Sequence, residues 1–314
     1  MTALLKDAIN PNLVQTMEGT PAFIHGGPFA NIAHGTNSII ATRLALSLAD
    51  YVVTETGFAS DLGAEKFFDI VVRTGQVPAP AACVLVSTLR ALKYHGGLKI
   101  NELANENPQA VEAGFENLRK HIENLRIFGI PFVVALNLFP ADHQSEIKRW
   151  TELIKQEKAR YALSNVYNQG GEGGLELAAE VMKAMGEDKA DFKFLYASDL
   201  PLLKKVEAIA LKIYGADGIK VETAARKKIE LFEQLGLANL PVCVAKTQAS
   251  LSDDSKKLGR PRDWNLTLTN ATLSSGAGFV VVHCGDIMTM PGLPKAPAAE
   301  KIDVDENGRI TGMI

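Results

Sequence analysis

Two kinds of apolar pattern alternate along the chain. The shorter runs are nearly continuous in Val, Ile, Leu and Ala, which is typical of strands covered on both faces of a sheet. These predicted strands span 51–55, 68–73, 81–88, 131–137, 241–247 and 278–284. The segment 265–284 as a whole predicts a pair of strands around a Ser-Gly turn.

The longer stretches carry apolar residues at intervals of three and four, the spacing that places them on one face of a helix. The predicted helices span 36–50, 111–129, 144–159 and 223–236. In the second of these, Phe115, Leu118 and Ile122 share one stripe, and the pattern stops at Gly129. Because strands and helices alternate, the chain is predicted to be an α/β protein with a largely parallel sheet.

Length and composition indicate how the chain divides into domains. The chain has 314 residues, of which 46% are hydrophobic, enough for a substantial core and for two or three domains. Shifts in composition and the sequence YGADG at 214–218 place the predicted domains at 1–120, 121–215 and 216–314.

Charge and cysteine content narrow the class of protein. The net charge of −3 is nearly neutral, and no block of Lys and Arg resembles a nucleic-acid-binding surface. No apolar run approaches the roughly 20 residues that span a bilayer, and the first residues do not read as a signal peptide. Cys83, Cys243 and Cys284 lie in apolar runs without metal-ligand spacing. We therefore expect a cytoplasmic protein that binds neither nucleic acid nor membrane.

Polar residues directly follow three of the predicted strands, where parallel sheets bind their ligands. In the loop 54–69, Asp61 lies between two glycines and either faces a polar ligand or caps a helix. In the loop 246–254, Lys246 either meets a phosphate as a point charge or precedes residues that cap a helix. Asp253 and Asp254 offer oxygen ligands to a cation, although two adjacent acids are not a metal motif.

Two segments are rich in glycine. Residues 164–181 contain four glycines before a helix, and they fit either a flexible ligand loop or a plain linker. The phosphate-binding pattern G-x-x-x-x-G-K-[ST] is absent from the sequence. Residues 22–38 contain His25 and His34, each of which is either a hydrogen-bonded structural group or a site residue. No third metal ligand is evident from their spacing, so no metal site is predicted.

Several longer segments together resemble formate–tetrahydrofolate ligase, also called formyltetrahydrofolate synthetase. They read PAFIHGGPFANIAHGTNSIIAT, LADYVVTETGFASDLGAEKFFDI, GGEGGLELA, KIYGADG, AKTQASLSDD, LGRP and GDIMTMPGLPKAPAAEKIDVDENGRITGMI. The matches are long, ordered and spread over nearly the whole chain, so they are far more specific than any short motif above.

The resemblance implies an ATP-dependent ligase of one-carbon metabolism. Formate would be activated to formyl phosphate, and tetrahydrofolate would then give 10-formyltetrahydrofolate. Mg²⁺, a monovalent cation such as K⁺ or NH₄⁺, and a homotetramer are also implied. The implied fold is a P-loop-like, doubly wound α/β domain with two smaller α/β domains. On this basis 1–120 belongs to the large nucleotide- and folate-binding domain, 121–215 carries the pterin pocket and 216–314 is the third, small domain.

The resemblance also assigns site residues. The pterin of the folate is expected between two rings, Phe139 with its neighbour Pro140 on one side and Tyr167 on the other. Tyr167 stands where the family has Trp, and a Tyr ring is still able to stack on a pterin. Phe58 and Asn31 are expected to contact substrate, and His25 corresponds to a histidine linked to activity. The residues expected near the nucleotide are Lys246, Thr247, Ser252 and Asp253.

One part of the family pattern is not matched. The family's P-loop and an arginine that holds formyl phosphate are expected upstream of the segment that this chain resembles. The P-loop-like sheet is therefore expected to be incomplete, and the chain to supply the folate pocket and part of the nucleotide pocket but to be inactive without an amino-terminal half. The alternative is a non-catalytic folate- or nucleotide-binding fragment. The absence of G-x-G-x-x-G and the long motif matches argue against a doubly wound nucleotide-binding protein of unrelated function.

Overall fold

The computed structural model describes residues 2–26, 34, 38–285, 287, 295–297, 300–306 and 309–312. Within these residues the α-helices are α1 (Thr2–Leu5), α2 (Ile39–Leu48), α3 (Leu89–His95), α4 (Pro108–Phe128), α5 (Gln144–Gln156), α6 (Val166–Gln169), α7 (Leu175–Glu187), α8 (Leu202–Ile209) and α9 (Thr223–Gln234). The strands are β1 (Asn12–Gln15), β2 (Pro21–Ile24), β3 (Cys83–Ser87), β4 (Phe132–Asn137), β5 (Arg160–Ser164), β6 (Gly218–Val221), β7 (Val242–Ala245), β8 (Asn265–Ser274), β9 (Phe279–Cys284), β10 (Asp303–Val304) and β11 (Ile310–Thr311).

The first of the two larger sheets consists of β3, β4 and β5, which run parallel in that order. The central strand β4 is the most buried, as its continuous apolar sequence predicts. On one face, Val133 of β4 and Ala162 of β5 pack against Ala184 of α7. Because the three strands are parallel, their carboxyl ends meet at one edge, where ligands of such sheets bind.

The second large sheet has the strand order β6-β8-β9-β7 and is mixed. β6 is parallel to β8 and β7 is parallel to β9, whereas β8 and β9 form an antiparallel pair in which Ser274 lies opposite Phe279. This pair confirms the two strands predicted around a Ser-Gly turn. Two short antiparallel hairpins, β1-β2 and β10-β11, complete the described strands.

Local sequence explains where the long helix α4 begins and ends. Asn107 Oδ1 accepts the N–H of Ala110 at 2.9 Å, and Pro108 occupies the first helical position. Gly129 adopts a φ of +68° and donates its N–H to the Arg126 carbonyl, a conformation that glycine adopts most easily. The four predicted helices correspond to α2, α4, α5 and α9, which differ from the predicted bounds by a few residues at each end.

Two predicted strands are wrong. Residues 68–73 lie in helical turns, a π-helical turn over Phe67–Val71 followed by a 3₁₀ turn over Val72–Thr74. Residues 67–72 are all buried, so this part of the run has no exposed face that would distinguish a helix from a strand. Residues 51–55 belong to none of the described strands, and Val53 is 96% exposed. Without a neighbouring strand, β-branched residues do not by themselves form a sheet.

One contiguous apolar core joins the two large sheets, since it includes Val134 of β4, Val244 of β7 and Leu268 of β8. The α/β class with parallel strands is confirmed, although these strands lie in two sheets rather than one. The boundary predicted after residue 120 falls inside α4, and the three-domain division stays a prediction, as does the P-loop-like, doubly wound topology. None of the helices in the described part of the chain combines the length and apolar character that crossing a membrane requires.

Candidate active site

Two aromatic rings meet at the carboxyl edge of the parallel sheet. Phe139 follows β4, and Tyr167 lies in the short helix α6 that follows the neighbouring strand β5. Their ring centroids are 5.1 Å apart and their planes are inclined by 53°. Phe139 is 37% exposed and Tyr167 68%, and Pro140 beside Phe139 is also exposed. The Phe139 N–H donates to Asp142 Oδ2 at 2.8 Å, which fixes the turn that presents the ring.

The glycine-rich loop after Tyr167 packs against the tip of the β1-β2 hairpin. Glu18 Oε1 accepts the N–H of Gly171 at 2.7 Å. A Cβ atom at Gly171 would lie 2.4 Å from the same carboxylate, so a side chain there would require the Glu18 side chain to move. Gly170, with a φ of +59°, is under the same steric restriction. These glycines therefore admit a side chain of the same chain, in addition to any ligand that they accommodate.

A cavity of about 190 Å³ lies at the carboxyl end of β3, between the helices α3 and α4 and the loop that follows β7. Its walls combine leucine side chains with two imidazoles, a carboxylate and two amides. The lining residues are Phe58, Ala59, Asp61, Leu85, Val86, Ser87, Thr88, Ala91, Leu92, His95, Asn117, Leu118, His121, Gln248, Ser250 and Leu251. The exits of strands from both large sheets thus contribute to a single cavity.

Backbone strain is concentrated at the wall formed by Phe58 and Ala59. Both residues have a φ of +60°, which is unfavourable for any residue with a Cβ atom. Ser60–Ala64 follows as a π-helical turn, a distortion that is frequent at functional sites. Gly63 permits the arrangement, because a Cβ atom there would lie 2.1 Å from the Gly57 carbonyl oxygen. Phe58, predicted to contact substrate, is 38% exposed at this wall.

A buried ion pair connects this π-helical turn to the loop after β7. Asp61 Oδ2 lies 2.8 Å from Lys246 Nζ, and the Lys246 side chain is fully buried. Lys246 also donates to the carbonyls of Thr247 at 3.1 Å and Ser250 at 2.6 Å, and it lies 4.9 Å from the ring centroid of Tyr214. Its charge is therefore balanced within the protein, which favours the structural alternative for Lys246 over contact with a phosphate.

The other residues predicted near the nucleotide also bind within their own loop. Thr247 Oγ1 accepts the N–H of Ala249 at 3.2 Å, and the buried Ser252 hydroxyl donates to the Asp254 carbonyl. Asp253 Oδ2 accepts the N–H of Thr267 at 2.7 Å, which ties the loop to β8. The loop as a whole does border the cavity, through Gln248, Ser250 and Leu251. A role of Thr247, Ser252 and Asp253 in nucleotide binding stays a prediction.

His25 lies apart from the cavity and has a partner for each ring nitrogen. Nε2 lies 3.0 Å from the Ala8 carbonyl, so the proton is assigned to Nε2, and Nδ1 accepts from the Ser38 hydroxyl at 2.7 Å. Ser38 in turn caps α2 by accepting the N–H of Ala41. This geometry favours the structural alternative for His25, and its catalytic role stays a prediction. The predicted site residue Asn31 lies outside the described residues.

The sequence matches the model of a known protein family. The family model for formate–tetrahydrofolate ligase matches residues 1–314, the whole length of the sequence. The chain belongs to the formate–tetrahydrofolate ligase family. Membership implies a ligase of one-carbon metabolism, and the family uses ATP and tetrahydrofolate.

For a formate–tetrahydrofolate ligase, the two sites described above differ in the ligand that they fit. The exposed ring pair offers stacking surfaces for a planar heterocycle, and the cavity offers apolar walls with a few polar groups. The described residues contain no group of three His, Cys, Asp or Glu side chains placed to hold a metal ion.

Several polar residues of the cavity wall were not predicted from the sequence, among them His95, Asn117 and His121. His95 ends α3 and His121 lies in the middle of α4, so neither directly follows a strand. Polar residues at helix positions are usually solvent-exposed, and no spacing distinguishes these from the rest. The signal that finds them is three-dimensional: both helices pack beside the end of β3.

Proposed function

We propose that this chain acts in the ATP-dependent synthesis of 10-formyltetrahydrofolate from formate and tetrahydrofolate, through formyl phosphate. It supplies the folate pocket at Phe139 and Tyr167 and part of the nucleotide pocket at the cavity. The observation that carries the proposal is the contact between these two exposed rings, 5.1 Å apart at the sheet edge where α/β enzymes bind ligands. The family match supplies the identity of the substrates.

The folate pterin inserts between the two rings in this proposal. A planar ring sandwiched between two others needs about 7 Å between the outer rings, twice a contact distance of about 3.5 Å. The present separation of 5.1 Å is too small, so one ring must move on binding. Tyr167 is the ring that moves, because it is 68% exposed and lies in a four-residue helix. Pro140 lies beside Phe139 and extends the apolar surface under the pterin.

The nucleotide base occupies the cavity in this proposal, with Phe58 at its wall. The cavity volume of about 190 Å³ is below the roughly 300–1,000 Å³ of pockets for drug-sized ligands, so it suits one ring system. The loop that carries Lys246, Thr247, Ser252 and Asp253 borders the base through Gln248, Ser250 and Leu251, and its internal hydrogen bonds fix its shape. Because Lys246 is paired with Asp61, the nucleotide phosphates are held by groups other than its ammonium.

The proposed chemistry has two displacements. A formate oxygen attacks the γ-phosphorus of ATP, the bond to the ADP oxygen breaks, and formyl phosphate forms. N10 of tetrahydrofolate then attacks the formyl carbon, the carbon–oxygen bond to phosphate breaks, and N10 loses its proton. The rings of this chain orient the pterin for the second displacement, and a closed pocket protects the acyl phosphate from water.

Mg²⁺ and a monovalent cation belong to the proposal through the family pattern alone. Mg²⁺ is usually bound by one or two carboxylates together with substrate phosphates, so it would arrive with the nucleotide. The half-buried Asp253 already accepts a backbone N–H, and no described residues are assigned to either ion.

An exposed sheet edge supports the proposed need for an amino-terminal half. Among the described strands, only β4 pairs with β3, so the other edge of β3 is free. Val84 and Val86 on one face of β3 are 42% and 54% exposed. A free strand edge beside apolar side chains favours association. We assign this surface to a strand and helix of an amino-terminal half, and we place the assembled tetramer in the cytoplasm.

The test is reconstitution. The chain alone should bind tetrahydrofolate but form no 10-formyltetrahydrofolate from formate, ATP and Mg²⁺. Addition of an amino-terminal half from a family member, carrying the P-loop, should restore product formation. Product from the chain alone would refute its proposed incompleteness. Tetrahydrofolate binding without activity in the mixture would favour the alternative, a non-catalytic binding fragment, and no binding at all would refute the folate pocket.

A further inference from the structure

The cavity at the end of β3 contains two imidazoles, His95 and His121, that approach it from different helices. In each ring, Nδ1 has a partner within the protein, and Nε2 has none among the described residues. A ring nitrogen that lines a cavity without a protein partner is available to a ligand. The protonation state of each ring decides whether that nitrogen donates or accepts.

His95 is fixed as a donor by its contact with Gly259. The Gly259 N–H donates to His95 Nδ1 at 3.1 Å, so Nδ1 carries no proton and the neutral ring carries it on Nε2. Burial lowers the pKa of His95 from its ordinary value of 6.5 to about 4. The ring is therefore neutral at physiological pH and offers a single N–H donor at the cavity wall.

His121 is fixed in the same way by a chain of hydrogen bonds. Lys120 Nζ donates to Asn124 Oδ1 at 2.8 Å, which orients the amide so that Asn124 Nδ2 donates to Ser60 Oγ at 3.3 Å. Ser60 Oγ lies 2.9 Å from His121 Nδ1 and 3.3 Å from the His121 carbonyl oxygen, and we assign its proton to the shorter contact, with Nδ1 as the acceptor. Burial lowers the pKa of His121, so this ring is also neutral with its proton on Nε2.

The rest of the cavity wall adds no unbalanced charge, and its further polar side chains are the Gln248 amide and the hydroxyls of Ser87, Thr88 and Ser250. The Asp61 carboxylate is balanced by Lys246 at 2.8 Å, and the Asn117 amide already donates to the Gly259 carbonyl at 2.9 Å. Leu92 and Leu118 form apolar surface beside the two imidazoles. A flat, uncharged heterocycle with acceptor nitrogens on its edges fits this combination.

We infer that the Nε2–H groups of His95 and His121 donate to ring nitrogens of the nucleotide base and make these histidines specificity-determining residues. The inference rests on the proposed nucleotide in the cavity. All three of the ring nitrogens N1, N3 and N7 of adenine accept hydrogen bonds. In guanine, N1 carries a hydrogen and is itself a donor. An imidazole N–H that faces N1 would therefore meet another donor, which disfavours guanine.

Two substitutions of His95 test the roles of its two ring nitrogens separately. In His95→Asn the side-chain oxygen lies near the former Nδ1 and accepts from Gly259, but the donor at Nε2 is lost. In His95→Gln a donor remains near Nε2, but the acceptor for Gly259 is lost. Calorimetric titration of the full chain with ATP and GTP should show H95N weakened about 5- to 10-fold for ATP, the effect of one hydrogen bond, with H95Q less affected. The melting temperature should fall more in H95Q than in H95N.

Deaza analogues identify the acceptor. The wild-type chain should bind one of the three analogues, 1-deaza-, 3-deaza- or 7-deaza-ATP, more weakly than ATP, namely the analogue that lacks the nitrogen paired with His95. H95N should bind that analogue no more weakly than it binds ATP. His121→Asn should behave in the same way with a second analogue. It also provides the test if H95N does not fold. Wild-type affinities in both Asn variants would overturn the inference while nucleotide binding stands. Failure of wild type to bind ATP would overturn the proposed nucleotide site and this inference together.

Discussion

The ring pair and the buried ion pair are the two regions in which the sequence suggested ligand contact most directly, and they differ in how their groups are satisfied. Phe139 and Tyr167 are exposed and lie against each other, and their planar faces are open to a ligand. Asp61 and Lys246 lie in equally polar loops but are buried against each other. A charged loop residue therefore is not by itself a ligand contact, because burial obliges it to find a partner inside the protein.

The same comparison predicts opposite consequences of mutation. Substitutions in the buried ion pair should lower stability strongly, because the remaining charge is left buried with little access to solvent. Substitutions in the ring pair should change ligand binding with little effect on stability, because the rings are partly exposed and contribute little to the core.

The largest effect is expected for Lys246→Met, which leaves Asp61 buried without its counter-ion. Removing one partner of a buried pair costs about 3–5 kcal/mol in the free energy of unfolding, measurable by urea denaturation. The matched control is Lys193→Met, since Lys193 pairs with Asp191 at 2.7 Å with both side chains about 70% exposed. That control should cost less than about 1 kcal/mol. Equally small losses of unfolding free energy in the two variants would contradict the expected difference between buried and exposed ion pairs.

Phe139→Ala should weaken tetrahydrofolate binding more than about tenfold, because stacking of a base-like ring on an aromatic side chain contributes roughly 1–3 kcal/mol. Its unfolding curve should remain close to that of wild type. Tyr167→Trp restores the larger ring of the family and should hold or strengthen binding. An unchanged dissociation constant in Phe139→Ala, measured by titration, would remove the ring pair from the folate site.

Ser38→Ala tests whether polar groups near His25 serve the fold, as those of the buried ion pair do. The variant loses both the cap of α2 and the donor to His25 Nδ1, so the free energy of unfolding should fall by about 1 kcal/mol. Ser38→Thr keeps a hydroxyl and should recover most of the loss. Wild-type stability in Ser38→Ala would show that this network does not support the fold.

Glu65→Gln should have the smallest effect at pH 5, and its pH dependence sharpens the picture of buried charge. Glu65 is fully buried without a hydrogen bond to either oxygen, and burial raises its pKa well above the ordinary 4.5. The folded state thus keeps a proton that the unfolded state has lost, so stability falls as the pH rises from 4.5 toward the raised pKa. The variant should gain stability relative to wild type as the pH rises from 5 toward 8, by no more than about 1.4 kcal/mol per pH unit. A parallel pH dependence for both proteins would contradict this assignment.

Much of the fold followed from pattern, since each correctly predicted helix had one polar face and each correctly predicted strand was bounded by turn residues. The apolar run at 68–73 failed because a helical segment buried on all sides, around Phe67 and Phe68, has the same pattern as a buried strand. The proximity of Phe139 and Tyr167 was suggested by family resemblance, which encodes three-dimensional neighbours. His95 and His121 could not be found, because their importance depends on how α3 and α4 pack against β3.

The most direct measurement is a crystal structure of the chain with tetrahydrofolate bound. The account predicts pterin density between Phe139 and Tyr167, with their ring centroids separated by about 7 Å instead of the present 5.1 Å, and with Tyr167 displaced more than Phe139. A pterin bound elsewhere, with the two rings still in mutual contact, would contradict the central claim.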